Sequence, residues 1–336
     1  MLSDPGADGP PLRSTTSSYD PGGYDPHGHA DHGHARRPQS LLFSAVVGVV
    51  AGMIGLAPHL LEGGRLPLQN LWASQTEPTD MPFAFLPISQ YAVVTIVVML
   101  VVGGLLSGLA IRAFVVRGSL APLPASLGLL GIHLLAAAQS FIVLANGLQL
   151  GGPSTDSRAA VYFTALLVGT SLSILLAQAA FWLTSRPSQM VCALGIALAA
   201  VPFAAWINAI AAALLGPAGL PPAFATTTRW LAAVLVGLAL AWCGFRPPHR
   251  LAVWMAGLLA LWVTPALITA LQYSLGSRLI LGDVSEMIAA GSQVFRSALT
   301  ENTGPLIVGL AIASVGSCAK LLLDSRSPNR GRAEAA

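Results

Sequence analysis

The chain has 336 residues, of which 54% are hydrophobic and only 9% charged, and its mean hydropathy is +0.69. Soluble domains carry about 25% charged residues, so too few charges are present to clothe a soluble globule, and a cytosolic globular protein is excluded. The 17 basic and 14 acidic residues leave a net charge of +3, and Lys320 is the one lysine. The composition predicts an all-α, polytopic transmembrane helix bundle.

Residues 1–40 are rich in Pro, Gly, Ser, Asp and His and have almost nothing apolar to bury, so a disordered tail is expected. Within it, His27, His29, Asp31, His32 and His34 form a tight cluster. Neutral imidazoles two residues apart suit Zn, Ni, Co or Cu, and Asp31 adds a possible oxygen ligand. The alternative is a polar linker biased toward histidine. No Cys accompanies the cluster, so a structural zinc finger is not indicated. The first apolar run begins only at Leu41 and no small-residue cleavage site follows it, so no cleavable signal peptide is expected. Arg36 and Arg37 read as an anchor for the first span.

A bilayer core about 30 Å thick takes roughly 20 apolar residues in a helix. Stretches free of Asp, Glu, Lys and Arg run over 38–61, 81–111, 118–155, 159–185, 187–228, 230–245, 251–277 and 302–319. They predict eight spans near 41–61, 90–111, 126–147, 160–183, 190–215, 230–245, 251–272 and 304–323. The sixth is short, and the residues from Gly216 through Thr228 ahead of it read as loop. With the N-terminus inside, cytoplasmic segments hold 12 of the 17 basic residues. This predicts that both termini are cytoplasmic. Trp182 and Trp242 then fall at inner ends, and Tyr91, Tyr162, Trp230 and Tyr273 at outer ends, as an interfacial belt requires.

Two external loops, 62–89 and 273–303, are long. The first is too apolar to float free. The second shows helical periodicity over 278–300 and is expected to form an amphipathic helix on the outer interface, as a lid, a docking surface or a connector that packs. Residues 324–336 read as a disordered cytoplasmic tail. The domains are therefore 1–40, 41–323 and 324–336.

The predicted spans contain no deep Asp, Glu, Lys or Arg, whereas ion-driven carriers usually keep such a group. His133 is the ionisable residue at depth. Pro202 and Pro265 each remove a backbone donor near mid-membrane, and Asn208 follows Pro202 by less than two turns. His133, Pro202, Asn208 and Pro265 are the candidate transport site, in the manner of a broken helix; ordinary kinks are the plainer alternative. Gly48/Gly52, Gly104/Gly108, Gly103/Ser107, Gly309/Ala313 and Ala313/Ser317 share the small-xxx-small spacing, which permits close helix packing or self-association. Cys192, Cys243 and Cys318 are expected to be free thiols.

No Walker A, H-E-x-x-H, G-x-S-x-G or C-x-x-C motif is present. The sequence therefore reads as a non-enzymatic multi-pass protein of the bacterial plasma (inner) membrane. It is expected to be a subunit or scaffold of a cell-envelope complex. The alternative is a permease or channel for a neutral small solute or a transition-metal ion collected by the His-rich tail. Expected partners are the lipid bilayer, a membrane or extracytoplasmic protein, or a second copy of the chain, and not nucleic acid.

Overall fold

The computed structural model describes residues 38–69, 71–72, 77–115, 121–150, 157–216, 219, 221–276 and 284–326. The histidine cluster 27–34 and most of both predicted tails lie outside the described residues. The described chain is mostly helical: α1 (Pro38–Leu61), α2 (Val93–Val115), α3 (Pro122–Gly147), α4 (Ser157–Ser185), α5 (Gln189–Leu215), α6 (Pro222–Cys243), α7 (Leu251–Gly276), α8 (Val284–Glu301) and α9 (Thr303–Arg326). All but α8 are long and apolar enough to cross a membrane, which gives eight spans. Because the number is even, the start of α1 and the end of α9 lie on one face. The segment 62–92 and α8 lie on the other, here called the α8 face.

Several boundaries move from their sequence-based positions. Helix α1 begins at Pro38 and α9 continues to Arg326, so both tails are shorter than their predicted limits. Helix α6 starts at Pro222, so the last part of the predicted loop 216–228 is helical. Proline is favoured in a first helical turn because its missing N–H would be unpaired there anyway. The Thr227 hydroxyl donates to the Ala223 carbonyl at 2.9 Å, which satisfies a polar group that had read as a loop signal.

The bundle is built around α2, the most buried of the spans. It packs against α1, α4 and α5. Glycines set the distances. A Cβ on Gly48 of α1 would collide with the Ala125 carbonyl of α3, and one on Gly104 of α2 with the Ala177 carbonyl of α4. The predicted small-residue pairs thus serve contacts within this chain. Gly309 of α9 likewise fits against Ala233 of α6 and Leu261 of α7. A second cluster joins α5, α6, α7 and α9 around Ala197, Val236, Leu240, Trp254 and Ala313. The Trp206 indole of α5 donates to the Gly55 carbonyl of α1 at 3.0 Å and ties the two groups of helices together.

The segment after α1 is part of the core. Leu66, Met81, Ala84, Leu86 and Ile88 are buried. Arg65 and Phe83 form an antiparallel bridge. Gln139 of α3 clamps the returning strand, accepting from Phe85 N and donating to the Phe83 carbonyl, both at 3.0 Å. The Ser140 hydroxyl accepts from Leu86 N at 2.8 Å, and the His59 imidazole donates to the Ala84 carbonyl at 2.9 Å. These α3 and α1 side chains take the places of partners that water would otherwise supply.

Helix α8 does not lie flat. The Ser274 hydroxyl donates to the Met287 carbonyl and the Trp262 indole to the Leu299 carbonyl. Twelve residues separate these contacts on each helix, so α8 doubles back antiparallel along α7 for about 18 Å. Of the predicted apolar face, Ile288 points away from the bundle, and residues 278–283 lie outside the described residues.

On the opposite face, cations cover helix C-termini, whose last carbonyls lack intrahelical donors. Arg112 donates to the Arg186 carbonyl and lies over the Trp242 ring at 5.2 Å. Lys320 donates to the Trp242 carbonyl at 3.1 Å and Arg250 to the Cys243 carbonyl at 2.5 Å.

The glycine contacts give a sharp expectation. Gly104→Ala should lower stability by about 1–3 kcal/mol through overpacking against backbone. Gly131→Ala, where a Cβ meets nothing within 4 Å, should be neutral or slightly stabilising. Thermal unfolding in detergent separates the two, and equal midpoints would contradict the packing.

Candidate functional site

The proposed transport residues divide between places. Asn208 and Pro265 come together. They line a cavity of about 240 Å³ toward the α8 face, where α5, α6, α7 and the α8–α9 junction meet. Thr228 and Arg229 of α6, Thr269 of α7 and Asn302 of the junction complete its polar lining. Proline has no N–H, so Pro265 deprives the Leu261 carbonyl of its usual donor four residues on, and Leu261 also lines the cavity. The volume is that of about eight waters, below the usual range for drug-sized ligands.

Arg229 gives this cavity its charge. Its Nε is buried and without a hydrogen-bond partner. Among the described residues no carboxylate pairs with it. In the sequence Arg229 is the basic residue immediately before the predicted span 230–245. Its convergence with Asn208 and Asn302 was not legible, because the three lie on separate elements far apart in the chain. Asn302 is buried at the turn between α8 and α9, a position that no sequence spacing marks.

Pro202 does not join them. It lines a separate apolar trough between α4 and α7, while its neighbour Val201 faces the cavity. His133 is further removed. It is fully buried in α3, its ring lying against Gly52 of α1 and Gly103 of α2. Neither ring nitrogen has a partner. Neither the cavity nor the trough reaches it. A buried imidazole with neither nitrogen bonded carries an unmet polar cost.

The cysteines are free, with Cys192 and Cys243 buried and Cys318 exposed. The described residues hold no group of three His, Cys, Asp or Glu side chains placed to share a metal.

Fold and cavity together define a multi-pass helical membrane protein with a small cationic, amide-lined cavity near one end of the bundle. Compared with known proteins, the chain matches no family model, no curated protein and no solved structure.

His133→Leu should leave stability unchanged or raise it by about 1 kcal/mol, because it removes an unpaired buried polar group at similar volume. His133→Ala should lower it by about 2–3 kcal/mol through the void it leaves. A His133→Leu loss as large as that of the alanine variant, seen in thermal unfolding, would show that the imidazole makes a polar contact of value.

Proposed function

We propose that this chain is a non-enzymatic permease of the bacterial plasma membrane that takes a small anionic solute into the α5–α7 cavity from the extracytoplasmic side. The observation that carries this reading is the convergence of Arg229, Asn208 and Asn302 on one cavity. Guanidinium and amide donors match the oxygens of a carboxylate, sulfate or phosphate group. The same guanidinium repels a metal cation, which argues against the transition-metal form of the permease reading. The neutral-solute form gives way to an anion for the same reason.

Orientation follows from the cations. Arg112, Arg186, Arg250 and Lys320 gather at the ends of α2, α4, α6, α7 and α9 away from α8. By the positive-inside rule this supports that face, and both termini with it, as the cytoplasmic one. The cavity then faces outward.

The scaffold reading has one observation of its own. Ile288 of α8, which packs along α7, is 67% exposed. Native mass spectrometry of protein drawn gently from its own membrane would show a stoichiometric protein partner if that surface docks one.

For the anion reading, the purified chain is titrated with acetate, succinate, sulfate and phosphate while its unfolding midpoint is followed. At least one should stabilise it, since a ligand at about 100 times its Kd adds roughly 2.7 kcal/mol. Arg229→Gln should weaken that ligand at least about tenfold, the loss of a charge-assisted hydrogen bond, and Asn208→Ala should weaken it less. No stabilisation by any of the four anions, or an unchanged response in Arg229→Gln, would refute the reading.

A further inference from the structure

On the other side of the α5–α7 contact, a trough of about 500 Å³ runs between α4 and α7. Leu172 and Leu176 form one wall, Leu267 and Leu271 the other, and Val97 and Pro202 lie in its floor. No charged side chain lines it. Toward the α8 face it meets a second cavity of about 250 Å³, with Val93, Gly169 and Ser173 lining both. From Tyr162 to Leu183 along α4 the two extend about 31 Å, comparable to the hydrocarbon thickness of a bilayer.

The second cavity is largely apolar and uncharged, with a few polar groups in its wall. Gln90, Tyr162 and Thr170 line it. The Tyr162 hydroxyl is occupied, donating to Gln69 Oε1 at 2.5 Å. Thr170 is 3% exposed, yet its hydroxyl has no partner, and neither does the Gln90 amide nitrogen. A helical threonine ordinarily donates to the carbonyl four residues back. Thr164, Thr184, Thr227 and Thr269 all do so here. Thr170 does not, although it is buried, and it borders this cavity. Next to it, Gly169 leaves the junction between the cavities open, since a Cβ there meets nothing within 4 Å. The packed glycines of α1 and α2 do the opposite and seat a neighbouring helix.

We propose that the two cavities form one binding site for a neutral amphiphile. Its head carries carbonyl acceptors for the Gln90 amide and the Thr170 hydroxyl, and its long hydrocarbon tail lies in the α4–α7 trough. Isoprenoid quinones are the membrane-resident class with this chemistry. Their head is uncharged, small and rich in carbonyl oxygens, and it sits within the hydrocarbon layer. A glycerophospholipid matches less well. Its phosphate stays at the membrane surface, while Thr170 lies about 12 Å below Tyr162 along α4, and the cavity offers no cation. The site is separate from the Arg229 cavity and does not depend on the anion reading.

The test uses the full chain, purified in mild detergent from its own membranes, with extracted quinone measured per protein by chromatography and absorbance. The wild type should retain quinone near one equivalent. Gly169→Phe fills the open junction and should reduce it at least tenfold. Gly131→Phe, a control at another open helical glycine, should retain it. Thr170→Val should reduce it about fivefold, the effect of one hydrogen bond, with unchanged gel-filtration behaviour. Should Gly169→Phe fail to fold, Thr170→Val decides. Absence of quinone from the wild type, phospholipid alone in the extract, or equal quinone in wild type and Thr170→Val would overturn the proposal.

Discussion

The close approach of α4 to α2 across Gly104 and Gly108 is the contact on which the rest of the bundle depends. In a bilayer no hydrophobic force drives helices together, because lipid tails are as apolar as leucine. Association rests on surface fit and on the satisfaction of polar groups. Glycine at these positions lets backbone lie on backbone, so α2 can take contacts on several sides and occupy the centre. Helix α1 uses Gly48 to reach α3, and Gly55 to sit against Met99 and Gly103 of α2. With α2 and α5 forming a common floor, α4 and α7 are held apart and the trough between them is created.

Polar groups follow the same economy. Helix backbones satisfy themselves, and side chains serve the bare backbone at helix ends and in the segment 62–92. There, Gln139, Ser140 and His59 supply partners for backbone that would otherwise be bare. At the opposite face, arginine and lysine side chains cover terminal carbonyls. Against that background, an unpartnered buried group is informative. His133 is buried with Gly52 and Gly103 beside its ring. Thr170 and Gln90 border space, and Arg229 borders a different space. A shared feature, the unmet donor, thus has different meanings according to whether a cavity adjoins it.

The segment 62–92 and the α7–α8 hairpin show where local pattern runs short. Alternating prolines and apolar residues between Leu66 and Ile88 indicate burial but not the surface on which they are buried. The α3 residues that receive them lie more than fifty positions later in the chain. The amphipathic period of 284–301 marks a helix with one apolar face, and such a face fits a membrane interface or a neighbouring helix equally well. The Trp262 and Ser274 contacts settle it in favour of α7.

The sequence by itself determined the class of protein, the number of spans, the amphipathic helix and the stripes of small residues. Each is a property of composition or of a period within one helix, and a bilayer converts length and apolarity directly into a span. It also marked Asn208 and Pro265 as unusual. Only the tertiary structure decided which marked residues meet. Asn208, Pro265, Arg229 and Asn302 lie on different elements, and their convergence depends on the rotation of each helix about its axis. The small-residue contacts between helices fix that rotation, and no single helix encodes it. The same rotations turn His133 inward to a closed niche, Pro202 toward the trough, and Thr170 toward the space that Gly169 leaves open.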